Sequence, residues 1–261
     1  MDHFRVENLS ISFGGLKAVN NVSFNVEPNS IFSIIGPNGS GKTTIFNLIS
    51  GIYHPNSGRI ILDGEDMVGR TPDRIARKGI ARTFQNIELF AKATVMDNIM
   101  LGRHIHMKTG IFTGATMLGR RSRAAREEIK NREIVEGIID FLDLQSSRDQ
   151  YVASLSYGKR KLVELGRALA LQPKILLLDE PSAGMNTEEK EDLNIWIKDI
   201  REDYKVTILL IEHDMNMIMG ISDRIFAINH GEKITEGLPR DVQTHPEVIK
   251  AYLGEEDIFH A

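Results

Sequence analysis

The sequence predicts an α/β fold, with a parallel sheet core, an N-terminal antiparallel β layer and an inserted helical lobe. Three observations predict it. FRVENLSISF and KAVNNVSFNVEP alternate apolar and polar residues with the period of half-buried strands. IFSIIG, KILLLDE and VTILLIEH are short and largely apolar, as strands covered on both faces are. From about Val95 to Ala170, between the first two of those runs, the pattern becomes mostly helical, as in REIVEGIIDFLDL.

Taken in order, the two opening strands are punctuated by Gly14–Gly15 and Pro28–Asn29, both turn signals. Residues 31–36 form a short buried strand. A glycine-rich turn then leads into a helix through Ile45, Leu48 and Ile49, with Gly51 as its stop. SGRIILDGED reads as a further strand and turn. Beyond the helical lobe, alternation returns as a KILLLDE strand, a TEEKEDLNIWIKDIRED helix, a VTILLIEH strand, a MNMIMGIS helix and a RIFAINHGEKITEG hairpin. Residues 103–132 are Gly- and Thr-rich and then basic. They read either as a surface loop followed by a solvated helix, or as a contact with a partner or a membrane surface.

Composition narrows the function. The 261 residues are 41% hydrophobic and 26% charged, which is ordinary for a globular chain with one large domain or two small lobes. A net charge of −4 argues against a generic nucleic-acid binder, which needs a basic footprint, so no nucleic-acid partner is expected. With no cysteines there is neither a disulfide framework nor a thiolate metal site. The opening MDHFRVENLS carries charges and no apolar h-region, and no apolar run approaches the ~18 residues of a membrane helix. A soluble, cytoplasmic chain is the expectation.

GPNGSGKT (36–43) matches the P-loop pattern G-x-x-x-x-G-K-[ST], and it lies between a predicted strand and a predicted helix, the context that confirms it. Gly36, Gly39 and Gly41 let backbone N–H groups turn inward around phosphate oxygens with no Cβ in the way. Lys42 supplies a point charge to the β- and γ-phosphates, and Thr43 offers its hydroxyl to Mg²⁺. Pro37, Asn38, Ser40 and Thr44 complete the expected nucleotide-binding stretch. KILLLDE delivers two carboxylates to the carboxyl edge of the sheet, where α/β ligands bind. Asp179 is expected to hold Mg²⁺ through water. Glu180, pointing to the other side of the strand, is expected to orient and deprotonate the attacking water; two solvated carboxylates are the plainer alternative. His213, closing VTILLIEH, is placed to bond the γ-phosphate and Glu180, or is structural. Gln85 is an amide that can reach Mg²⁺ or water, or a surface residue.

LSYGK (155–159) precedes a helical pattern carrying Leu162, Leu165 and Leu169, so Ser156 stands where an N-cap belongs. Lys159, Arg160 and Lys161 then crowd the positive end of that helix, where cations are disfavoured. Either the face is solvated or an anion belongs nearby.

GPNGSGKT, Gln85, LSYGK, ILLLDEPSAGMN and IEHD together resemble, in order and spacing, an ABC-transporter ATPase, and the resemblance covers essentially the whole chain. It implies an ABC ATPase cassette with a P-loop NTPase core. Residues 1–86 and 171–261 would form the nucleotide-binding core and β layer, and 87–170 the helical subdomain with the signature motif. It implies ATP and Mg²⁺ as cofactors, with Thr43, Gln85 and Asp179 at the metal and Lys42, Gln85, Glu180 and His213 in catalysis. Phe13 would be the adenine-stacking aromatic, the alternative being a core residue of its strand. Ser156, Tyr157, Gly158 and Lys159 would cap the γ-phosphate held by a second subunit, which would supply the anion for that helix. Ser182, Ala183, Gly184 and Asn186 fall on the D-loop. The motif departs from the general form at Tyr157, which fits the branch below, and at Lys159 in place of the usual Gln, which bears on rate.

FGGLKAVNNVSF, IARKGIARTFQNIELF, MKTGIFTG, IEHDMNMIMGISDRI and HPEVIKAYLGEE are similar to the ATPase subunit of branched-chain amino acid importers. That resemblance implies a second ATPase subunit, identical or homologous, two integral membrane permease subunits and, indirectly, a periplasmic or extracellular solute-binding protein. The chain would sit on the cytoplasmic face of the membrane through the permeases, with Phe84 and residues 86–90 as contact candidates. Importers of amides, urea or aromatic acids, and a lipopolysaccharide-type exporter, are the alternatives in the same superfamily. A non-transport ABC ATPase would need coiled-coil or DNA-binding segments, or a second cassette.

Overall fold

The alternation in the opening residues becomes two long antiparallel strands, β1 (Phe4–Phe13) and β2 (Leu16–Val26), joined by the Gly14–Gly15 turn. The computed structural model describes residues 3–83, 87–107 and 123–256. Two units are distinguished: Met1–Arg82 with Lys174–Ala261, and Thr83–Pro173.

The first unit contains two sheets. β1 and β2 join β4 (Ser57–Leu62) and β5 (Glu65–Asp66) in the order β2-β1-β4-β5, antiparallel throughout. The second sheet has the order β10-β9-β3-β8-β7-β6. Its parallel strands are β3 (Ile31–Ile35), β6 (Ile80–Arg82), β7 (Ile175–Asp179), β8 (Thr207–Ile211) and β9 (Arg224–Asn229). β10 (Glu232–Gly237) returns antiparallel beside β9 through the His230–Gly231 turn. Every residue of β3, β7 and β8 is buried, which is why these segments lack polar alternation. Phe24 of β2 stacks on Phe32 of β3, with ring centroids 5.2 Å apart, and joins the β layer to the parallel sheet. β6 is three residues long and carries no strand signal of its own; pairing with β7 makes it a strand.

Helices of this unit are α1 (Lys42–Ile49) and α2 (Pro72–Lys78), then, after the second unit, α6 (Thr187–Tyr204), α7 (Met215–Ile221), α8 (Pro239–Gln243) and α9 (Pro246–Glu256). Ile45, Phe46, Leu48 and Ile49 bury α1 in the same core as Phe32 and Phe226. Beyond α1, Gly51 takes a left-handed φ of 74° and ends the helix, as its position suggested.

The second unit has α3 (Val95–Leu101), α4 (Arg123–Phe141) and α5 (Tyr157–Ala170). Gly166 lets α5 approach its neighbours, since a Cβ there would stand 3.0 Å from both Ile99 and Leu142. Thr94 and Asp97 close a capping box that starts α3. Gln85, Phe84, Asn86 and the MKTGIFTG stretch from residue 108 onward lie outside the described residues.

Candidate functional site

β3, β7 and β8 are neighbours in register, Ile34 beside Ile211 and Asp179 beside Ile211, so the loops that follow them open at one edge of the sheet. That edge is where open α/β sheets bind ligands. The loop after β3 is GPNGSGK. A Cβ on Gly36 would lie 2.1 Å from the Ile228 carbonyl oxygen, and one on Gly41, at φ 108°, would lie 2.6 Å from that of Ala18. Only glycine fits either position. Gly41 precedes α1 and no side chain caps the helix, so its first-turn N–H groups face the loop. Lys42 is 5% exposed and folds its Nζ onto the loop, donating to the carbonyls of Gly36 at 2.6 Å and Pro37 at 2.9 Å. The Ser40 hydroxyl is buried with no hydrogen-bond partner among the described residues.

A pocket of about 350 Å³ lies over this loop. Asn38, Gly39, Ser40, Gly41, Lys42, Thr43 and Thr44 line it together with Leu16, Lys17, Ala18, His230 and Glu180. Leu16, Lys17 and His230 belong to no catalytic motif; the hairpin turns beside them bring them to the phosphate loop. The turn residue Gly231 donates its N–H to the Ser40 carbonyl at 2.9 Å. Phe13 stands at the end of β1, 45% exposed and edge-to-face with Tyr53, with ring centroids 5.1 Å apart. It is not among the pocket's lining residues.

Asp179 ends β7 and is 3% exposed. Its Oδ2 accepts from Arg82 Nη2 at 2.8 Å, while Nη1 of the same guanidinium reaches Asn47 at 2.7 Å and Ser50 at 3.0 Å on α1. Burial pushes the Asp179 carboxyl above the ordinary carboxylate range, against the pull of Arg82. Arg82 was invisible to motif reading because its partner is 97 residues away.

Glu180 follows directly, at a left-handed φ of 49°, a conformation that costs a non-glycine residue about 1–3 kcal/mol. Its N–H extends the ladder to the Ile211 carbonyl at 2.9 Å. Its Oε1 lies 2.6 Å from His213 Nε2. The short contact holds the Glu180 carboxylate against His213, and Glu180 lines the pocket. His213 stands two residues past the end of β8, and Asp214 after it caps α7, its Oδ1 accepting from the Asn216 and Met217 amides.

After Glu180, Pro181 and Ser182 are buried, Ala183 is half-buried and Gly184 is exposed. Asn186 acts locally. Its side chain accepts from the Glu189 N–H at 2.9 Å and Glu189 bonds back at 3.1 Å, a capping box for α6. The N-x-x-E spacing was the signal for it.

In the second unit Ser156 caps α5 through a long 3.4 Å bond from the Lys159 N–H; Tyr157 is 42% exposed and Gly158 is buried. The crowded cations each find a partner inside the lobe. Lys159 Nζ donates to Ser147 at 3.1 Å, Arg160 Nε donates to the Leu155 carbonyl at 3.0 Å, and Lys161 is buried 3.9 Å from Glu164. Lys159 is exposed, as a solvated face would have it, Arg160 is half-buried, and the anion beside buried Lys161 is Glu164 of the same lobe.

A loop of inward amides and a lysine suits a polyphosphate. Thr43 and Asp179 are oxygen donors that could hold a hard cation such as Mg²⁺, which is bound through one or two carboxylates plus phosphate and water. Among the described residues no cluster of three or more His, Cys, Asp or Glu residues could hold a metal ion.

Fold and loop together define a nucleotide-binding cassette of the P-loop class. The ABC transporter family profile matches residues 19–183, and a second one, described as branched-chain amino acid ATP-binding cassette transporter, matches 232–258. The chain is 42% identical to the high-affinity branched-chain amino acid transport ATP-binding protein BraF of Pseudomonas aeruginosa, over 96% of this chain and 97% of that protein. It is 41% identical to the corresponding protein LivG of Escherichia coli, with the same coverage. A solved ATP-binding cassette of an ABC transporter, in its ADP conformation, superimposes with a TM-score of 0.84 at 30% identity, covering 97% of this chain and 99% of that one. The chain belongs to the ABC transporter family, as a nucleotide-binding ATPase subunit coupled to transport and working with membrane permeases. No helix among its described residues is long and apolar enough to cross a membrane.

Proposed function

We propose that this chain powers an importer of branched-chain amino acids, hydrolysing ATP with Mg²⁺ as one half of an ATP-sandwich dimer on the cytoplasmic face of the membrane. The match of residues 232–258 to the branched-chain family carries the choice of solute, because it lies outside the catalytic motifs. Relatives named for branched-chain amino acid transport support it.

In this reading Lys42 exchanges the Gly36 and Pro37 carbonyls for the β- and γ-phosphates of ATP. The α1 amides, Gly39, Ser40 and Thr44 hold the remaining oxygens, and Phe13 turns its exposed face to adenine. Thr43, Asp179 and Gln85 would hold Mg²⁺, which would supply positive charge to the phosphoryl oxygens. Glu180 accepts a proton from the attacking water while His213 holds its carboxylate and contacts the γ-phosphate. Ser156, Tyr157, Gly158 and Lys159 present the start of α5 to ATP on the second ATPase subunit, where the Ser182–Asn186 loops of both chains meet. Phe84 and residues 86–90 are the proposed contacts with the permeases; Phe90 is 61% exposed. A solute-binding protein delivers to the permeases and never touches this chain.

The test is uptake of labelled leucine, with isoleucine and valine as competitors, in cells lacking redundant transporters. Wild-type chain supports uptake that both competitors suppress, and Glu180→Gln abolishes it. Wild-type uptake of a different solute class, with none of leucine, refutes the solute assignment.

A further inference from the structure

β7 and β8 run side by side, and their loops carry the Glu180–His213 pair. A third carboxylate sits between those loops. Glu212 is 3% exposed, and both its oxygens accept backbone N–H groups: Oε1 from Ser182 at 2.7 Å and Oε2 from His213 at 3.0 Å. Ser182 is equally buried and lies two residues past Glu180; His213 is the residue after Glu212. The side chain thus continues the sheet beyond its last rung, Glu180 N–H to Ile211, and ties one loop to the other.

We infer that Glu212 is a positioning residue that fixes the separation of Glu180 and His213. The inference rests on the reading of that pair given above. The chemistry favours a carboxylate, which is acceptor-only and meets two donors, whereas a carboxamide turns an NH₂ toward one of them. Hydrogen bonds to an ionised acceptor are also about twice as strong as neutral ones. The Ser182 bond spans the two loops, so they cannot separate without stretching it, while the His213 bond fixes the Glu212 carboxylate on its own loop. Glu180 is held in a left-handed conformation that the surrounding structure must enforce, and Glu212 anchors the stretch that leaves it. Misplacement by about 1 Å at a reacting centre costs as much as ~100-fold in rate.

The experiment is ATP hydrolysis by the purified full-length chain, comparing wild type, Glu212→Gln, His213→Ala and the double variant, with binding of a fluorescent ATP analogue and melting temperature measured alongside. Glu212→Gln lowers kcat by about tenfold or more while KM and analogue affinity stay within about twofold, a split that general loosening of the fold would not produce. In the double variant kcat stays within about threefold of His213→Ala alone, because the two residues act as one unit. A kcat within twofold of wild type for Glu212→Gln, or losses that multiply in the double variant, overturns the inference. If Glu212→Gln is unfolded at the assay temperature, Glu212→Asp, which keeps the charge but falls one methylene short, enters the same cycle under the same criteria. Glu180→Gln on the same preparations separates the two claims. Wild-type hydrolysis by that variant defeats the reading of the site. Inactive Glu180→Gln beside fully active Glu212→Gln defeats the positioning inference alone.

Discussion

Arg82 shows how one buried side chain links the elements of the nucleotide site. Its guanidinium joins Asp179 at the end of β7 to Asn47 and Ser50 on α1, with Phe46 beneath at 5.7 Å. Both members of the ion pair are less than 8% exposed, so removing one leaves a charge in a poorly solvated site. Arg82→Met is expected to destabilise the protein by about 3 kcal/mol in urea unfolding; a loss below ~1 kcal/mol would show that the pair is not structural. Arg82 and Glu212 are illegible in a sequence because Asp179, the partner of the first, and Ser182, one partner of the second, are distant in the chain. Lys42 and Gly41 are legible because the motif that defines them is contiguous. Glu180 falls between: its position was readable, but its left-handed backbone and its contact with His213 needed two strands to be placed side by side.

Among the elements, caps account for several residues that a motif reading alone would leave as signature letters. Asn186 and Glu189 start α6, Thr94 and Asp97 start α3, and Asp214 starts α7. Asp214 also accepts from Lys190 at 2.9 Å; that bond first, then the α7 amides, holds its carboxyl below the ordinary value. A depressed carboxylate stabilises the fold above its unfolded pKa, near 3.8, and the benefit is lost as pH falls through the folded value. Asp214→Asn is therefore expected to cost about 1 kcal/mol at pH 7, shrinking toward zero in strong acid. Urea titrations at the two pH values check it, and a pH-independent difference would rule the charge out. The buried strands were readable from their apolar runs and the helical segment from its period. The three-residue β6 was not, since so short a run carries no period and depends wholly on β7.

At the scale of the whole molecule, family membership accords with the proposal that a second ATPase subunit completes the site. In the proposed dimer the start of α5, whose cations have partners within their own lobe, would present the Ser156 hydroxyl and helix amides to a phosphate on the second subunit. Moving a dimer from 1:99 to 99:1 closed takes roughly 5.5 kcal/mol of differential binding, which two ATP molecules shared across an interface can supply through charge-assisted hydrogen bonds. Everything in this mechanism turns on Glu180 handling the water in an ATP-bound dimer. Size-exclusion chromatography of Glu180→Gln with ATP and Mg²⁺, with hydrolysis measured on the same sample, tests that directly. A stable dimer retaining unhydrolysed ATP is expected, with a kcat at least about a hundredfold below wild type. Hydrolysis at the wild-type rate by that variant would contradict it.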